Sequence, residues 1–265
     1  MTLDNKKIKL HFQRFEFKYV FPKRLIEGIL PALLKYMEFD PFARQLPEQS
    51  YTVASLYFDS SGYGAYQEKI AGLRSRKKLR IRYYGQRLEK DDPVFLEIKR
   101  KYDAVVVKDR LKLSQKECYD FINNNLKIAL PSGHDRDTLE EFLWIREHNC
   151  MTPQVLVVYR RKPLVSRIDS SFRLTLDYDL FSHRAYWLNA YDEANLVLPD
   201  LAVLEVKFNN LLPLWFQRII QNFGLQYQPF SKYCIGLEHS IPALQKENQW
   251  LLNQPNIRTT LNFDI

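Results

Sequence analysis

Lys78-Leu79-Arg80-Ile81-Arg82-Tyr83 alternates a cation with an apolar residue, and this stretch decides how the chain is read. Side chains two apart on a β-strand share a face, so the segment presents three cations on one side and three apolar groups on the other. The same rule recurs outward in both directions. Arg14, Glu16 and Lys18 alternate with Phe15, Phe17 and Tyr19. Glu97, Lys99 and Lys101 follow the same rule with Leu96 and Ile98, and Lys108, Arg110 and Lys112 repeat the pattern, as do Glu205 and Lys207. One such strand is an ordinary half-exposed edge. A solvated sheet face usually mixes in Thr, Ser and Gln, so five strands dominated by Arg and Lys indicate a shared basic surface. If the sheet closes on itself, that surface becomes a cation-lined lumen.

The bulk numbers agree. The 265 residues are 46% hydrophobic and 14% aromatic, with 16 Tyr and 17 Phe, which suits a sheet-rich core. Lys and Arg number 39 against 31 Asp and Glu, a net charge of +8 that favours an anionic partner. Cys118, Cys150 and Cys234 are odd in number and widely spaced, so neither a zinc cluster nor a disulfide framework is indicated. His11, His134, His148, His183 and His239 show no metal-ligand spacing. The polar N-terminus does not read as a signal peptide, and no apolar run is long enough to span a bilayer. The expectation is a soluble, cytoplasmic protein.

Strands are expected over 11–20, 51–59, 73–84, 94–101, 104–113, 155–161, 172–178 and 201–208. Pro22 opens a helix whose apolar stripe runs from Leu25 to Met37. Ser114 with Glu117 forms a capping box, and further helices are expected over 138–147, 214–223 and 231–238. Ser60 to Gly64 is turn-like, and Asp59 reads as a turn former. Eight strands with interspersed helices make the fold class α+β. A single domain over residues 1–265 is expected, with a core at about 10–240 and a peripheral tail at 241–265.

The ordered set Arg14-Phe15-Glu16-Phe17-Lys18-Tyr19, Ser55-Leu56-Tyr57-Phe58-Asp59, Lys78 to Gly85, and Phe95-Leu96-Glu97-Ile98-Lys99 resembles the VTC domain. That is the polyphosphate polymerase domain of the vacuolar transporter chaperone complex. Lys108-Asp109-Arg110, Tyr159-Arg160-Arg161, Arg173 to Asp177, Leu204-Glu205-Val206-Lys207 and Phe230-Ser231-Lys232 continue the resemblance in order. It implies the triphosphate tunnel fold, an eight-stranded antiparallel β-barrel with helices packed outside. It also implies transfer of the ATP γ-phosphate to a growing polyphosphate chain, with Mn²⁺ or Mg²⁺ as cofactor. By the same resemblance, Arg80, Arg82, Arg161 and Arg173 are expected at the reacting phosphates. Lys18, Lys69, Lys99, Lys108, Arg110, Lys207 and Lys232 are expected to hold phosphate, and Glu16, Glu97 and Glu205 the metal.

Two departures bear on activity. Pro229 stands where the family's late element has a lysine, removing one cation from the tunnel mouth. Arg14 stands where the hydrolase relatives carry a first glutamate, which favours a polymerase over a tripolyphosphatase. A non-catalytic polyphosphate-binding module is the other alternative. The expected partners are ATP or another triphosphate and inorganic polyphosphate. No nucleic acid is expected, since Ile81 and Tyr83 face away from the cations, and a separate membrane partner is left open.

Overall fold

The computed structural model describes residues 15–102, 105–123, 133–188, 194–209, 211–241 and 244. Its strands are β1 (Phe15–Pro22), β2 (Met37–Phe39), β3 (Tyr51–Asp59), β4 (Ser75–Tyr84), β5 (Val94–Tyr102), β6 (Val105–Leu113), β7 (Thr152–Ser166), β8 (Arg173–Arg184), β9 (Asn195–Leu196) and β10 (Leu201–Phe208). Its α-helices are α1 (Ile26–Leu34), α2 (Pro41–Arg44), α3 (Gly64–Ile70), α4 (Gln115–Ile122), α5 (His134–His148), α6 (Leu214–Asn222) and α7 (Lys232–Ser240).

The strands form one sheet, and every recorded strand pairing is antiparallel. Its order is β1-β10-β8-β7-β3-β4-β5-β6, with β2 paired to β7 and β9 to β8. The expectation of a closed eight-stranded barrel is therefore corrected in two respects: the sheet has ten strands, and it is not closed. The eight strands of the main path curl until β1 approaches β6, but no ladder joins those two edges among the described residues. The seam is spanned by side chains instead, with Lys99 of β5 reaching Glu16 of β1 at 2.9 Å. Closure needs edge strands in hydrogen-bonding register, and here the Lys99–Glu16 ion pair is the contact recorded across the seam.

The alternation seen in sequence sorts the sheet into two faces. On the convex side, Leu79, Ile81 and Tyr83 join Leu96, Ile98 and Leu111 under Cys118 and Phe121 of α4 and Phe142 of α5. Leu174, Leu176, Leu204 and Val206 pack beneath Ile29 and Leu33 of α1 and Phe216 of α6. The concave side is itself split. One half is apolar and is filled by α7, whose Tyr233, Cys234 and Leu237 meet Tyr57, Val155, Val157 and Val203. The other half carries the charges.

Several elements differ from expectation. The stripe from Leu25 to Met37 divides: α1 stops at Leu34, and Met37 enters β2 because its strand pairs with Ser166 of β7. The turn after Asp59 continues into α3, whose first free N–H groups are satisfied by Asp59 from outside the helix. Its carboxylate accepts from Ala65 N at 2.9 Å and Tyr66 N at 3.1 Å. Strand β7 is fifteen residues long, more than twice the expected stretch, because its later half pairs with β2 as well as β8. Residues 11–14, Arg14 included, and most of the expected tail lie outside the described residues. Among the described residues no helix is long and apolar enough to cross a membrane.

Candidate functional site

Register decides which charges meet. Lys78, Lys99 and Lys108 lie opposite one another across β4, β5 and β6, and Arg80, Glu97 and Arg110 form the next row. Lys18 opposes Glu205, which opposes Thr175, and Arg161 opposes Asp177. Residues directly opposite share a face, so all of these project into the concave side.

Three carboxylate centres organise the cations there. Glu97 is fully buried and sits among four of them. Arg80 approaches its Oε2 at 2.7 Å and Arg82 at 3.8 Å, while Lys108 approaches Oε1 at 3.2 Å and Arg110 at 2.7 Å. Burial would raise the Glu97 carboxyl, but the four cations outweigh it and hold it far below the usual range. The second centre is the pair Glu16 and Glu205. Lys18 stands between them at 3.1 and 3.8 Å, Lys99 binds Glu16, and Lys207 binds Glu205 at 2.8 Å. Burial opposes ionisation of both acids, and Glu205 also opposes that of Glu16, yet the surrounding lysines keep both well below the ordinary range. The third centre is Asp177, which accepts two parallel bonds of 2.7 Å from Arg161 and an ion pair of 2.6 Å from Lys232 of α7.

Phenols complete the lining. Arg80 Nη1 donates to Tyr57 Oη at 3.0 Å, and Arg82 donates to Ser55 Oγ at 3.0 Å and to Tyr159 Oη at 3.4 Å. Burial would raise the Tyr57 phenol, but Arg80 and Arg82 bring it down to about 8. Burial, opposed by Glu97 and reinforced by Arg110, Arg80 and Arg82, lowers Lys108 to about 8.

The structure brings most of the expected residues together. Lys18, Arg80, Arg82, Lys99, Lys108, Arg110, Arg161, Lys207, Lys232, Glu16, Glu97 and Glu205 all belong to these three centres. Two stand apart. Arg173 is exposed at the first position of β8, opposite Lys207, with its Nε donating to Ser170 O at 3.2 Å. Lys69 lies half-buried on α3, away from the carboxylates. Sequence reasoning missed Asp177, Tyr57 and Tyr159 as site residues. All were legible in phase: Asp177 is four residues from Arg173 on one strand, and Tyr159 two from Arg161.

At the first two centres every carboxylate oxygen already meets a cation, lysines alone at Glu16 and Glu205 and arginines as well at Glu97. Among the described residues no group of three or more His, Cys, Asp or Glu is close enough to hold a metal unaided. Mg²⁺ and Mn²⁺ are commonly held by one or two carboxylates plus substrate phosphate oxygens, and Glu16 with Glu205 supplies such a pair. Beside Glu205, Thr175 Oγ1 is shielded from solvent with no hydrogen-bond partner among the described residues. A buried hydroxyl left unpaired calls for an explanation, and an oxygen ligand to a metal or a donor to phosphate supplies one.

The VTC domain family model matches residues 13–241. The chain belongs to the VTC domain family. Subunit 4 of the vacuolar transporter chaperone complex from Trypanosoma cruzi is similar, with 26% identity over 252 residues covering 80% of this chain and 30% of that protein. The corresponding subunit of Trypanosoma brucei brucei is 24% identical over 248 residues, covering 80% of this chain and 31% of its own length. This VTC chain thus spans about a third of the curated relatives it matches. A solved structure described as a candidate adenylate cyclase from Bacillus halodurans aligns with a TM-score of 0.51 at 16% identity. It covers 83% of this chain and 94% of its own, a likeness of fold alone. The VTC resemblance read from the ordered motifs is borne out at the level of the family.

Proposed function

We propose that this VTC domain is a polyphosphate polymerase-type phosphotransferase that moves the γ-phosphoryl group of ATP onto the end of a polyphosphate chain. One observation carries the reading. Cations from β1, β4, β5, β6, β7, β10 and α7 converge on one concave surface, and buried carboxylates hold them in place. Phosphoryl transfer asks a protein mainly to position reactants and to stabilise spread negative charge. Arg and Lys already fixed by Glu97 and Asp177 need not reorganise as that charge develops.

In this reading Arg80, Arg82 and Arg161 grip the phosphate oxygens with their planar forks. Lys18, Lys99, Lys108, Arg110, Lys207 and Lys232 neutralise the remaining charge. Arg173, at the outer end of β8, closes on the phosphate nearest the mouth. The bond from the γ-phosphorus to the bridging oxygen breaks, and that oxygen leaves on ADP. A terminal oxygen of the acceptor chain forms the new bond. It is already anionic at neutral pH, so the step requires no general base from the protein. A divalent metal at Glu16 and Glu205, when bound, supplies charge neutralisation across the phosphate oxygens. ATP is the donor in this reading.

Incubation of the purified protein with ATP and Mn²⁺, with and without a short polyphosphate primer, tests the reading. Long chains accompanied by ADP are expected. Orthophosphate released from tripolyphosphate would instead mark a hydrolase, and binding without turnover a passive module.

A further inference from the structure

Among the described residues, Lys78 is a cation of this lattice that lacks a carboxylate partner. It is half-buried on the concave face, one pleat repeat of roughly 6.8 Å along β4 from Arg80. Its cross-strand neighbour is Lys99, whose own neighbour is Lys108, so three lysines stand abreast. Like charges directly opposite one another are destabilising. The other two are neutralised, Lys99 by Glu16 and Lys108 by Glu97. Lys78 has no carboxylate within ion-pair distance among the described residues. Its ammonium instead donates to Ser231 Oγ at 3.1 Å and Cys234 Sγ at 3.7 Å, and lies 4.5 Å from the centre of the Tyr233 ring. All three partners belong to the start of α7 and none is a carboxylate. Burial, with Arg76 and Lys18 adding repulsion, lowers its pKa despite the opposing Cys234 and Tyr57.

A charge held in such a place is destabilising unless a ligand supplies the missing anion. Lys18 extends the same region: its ammonium donates to Phe230 O at 3.1 Å, just ahead of α7. We infer that Lys78, with Lys99 and Lys18, forms a second phosphate subsite at the α7 end of the channel. It takes a phosphoryl group of inorganic polyphosphate lying beyond the reach of a bound triphosphate. The inference rests on the polyphosphate reading above and adds direction to it. The arginine rows hold the triphosphate, and the lysine row holds the chain.

Direct binding separates the two ideas. Wild-type protein and Lys78→Met are titrated calorimetrically with sodium tripolyphosphate and with an inorganic polyphosphate tens of units long, and both are melted without ligand. The expected result is a tenfold or greater loss of affinity for the long chain. Tripolyphosphate affinity should change less than threefold. The unliganded melting temperature should be unchanged or raised, because the residue removed is an unpaired cation. Equal losses for both ligands, or none for either, would overturn the second subsite while leaving the channel reading intact. A marked fall in melting temperature would make Lys78 a structural tether of α7 and overturn it too. Wild-type protein that binds neither anion sinks both readings.

Discussion

At the scale of single residues, the site separates groups that hold the fold from groups that meet the ligand. Glu97 has no exposure and four cations around it, so Glu97→Gln leaves several positive charges facing one another. Breaking a buried charge pair costs about 3–5 kcal/mol, and a loss of that order is expected in urea denaturation. Arg173 is the opposite case, exposed and, among the described residues, tied to a nearby carbonyl. Arg173→Ala should stay within about 0.5 kcal/mol of wild-type stability while slowing transfer about 10²–10³-fold. An unchanged rate would remove Arg173 from the site. Lys108 and Tyr57 set a pH dependence. Both titrate near 8 in the folded protein and near 10 when unfolded, so between those values the unfolded state binds more protons. Their contribution to unliganded stability therefore rises with pH over that window. Affinity for tripolyphosphate should fall over the same window, since a cation is lost and a phenolate gained. Melting curves and titrations at pH 7.5 and 9.5 should move in opposite directions.

At the scale of elements, α7 is the piece whose role the chain conceals. Its sequence reads as a short helix before a tail, with no strong stripe to announce a destination. In the fold it lies against the concave face, capped by Ser231, linked to Asp177 through Lys232 and to Asp59 through the Tyr233 hydroxyl. Gly236 allows the approach: a Cβ there would come within 2.7 Å of Val157 Cγ2 and 3.3 Å of Ser182 Cβ. Glycine to alanine inside a helix ordinarily stabilises by about 1 kcal/mol. Here the clash should reverse the sign, so Gly236→Ala is expected to destabilise by about 1–3 kcal/mol. A stabilised variant in thermal unfolding would show that α7 does not press on β7. Helix α3 teaches a similar lesson, because the residue that satisfies its first turn, Asp59, belongs to the preceding strand.

At the scale of the whole molecule, the concave face concentrates positive charge that its carboxylates only partly balance, and among the described residues the ion pair of Lys99 with Glu16, not a ladder, spans the open seam. An anion that fills the channel should therefore stabilise the entire fold. Tripolyphosphate at about a hundred times its dissociation constant is expected to add about 2.7 kcal/mol, read as a raised melting temperature. No shift at saturating concentration would argue that the cations do not form one site. The period-two alternation by itself determined the strands and the two-faced sheet. It also determined the basic character of one face, because side-chain direction on a strand follows from backbone geometry alone. The ordered motifs added the family. Tertiary structure decided what depends on register and on contacts distant in sequence. It made Glu97 a hub for four cations, brought Asp177 to Arg161 and Lys232, left Lys78 without a counter-charge, and stopped the sheet short of closure. Those outcomes depend on which strands become neighbours and on what fills the space between them, and no local pattern along the chain encodes either.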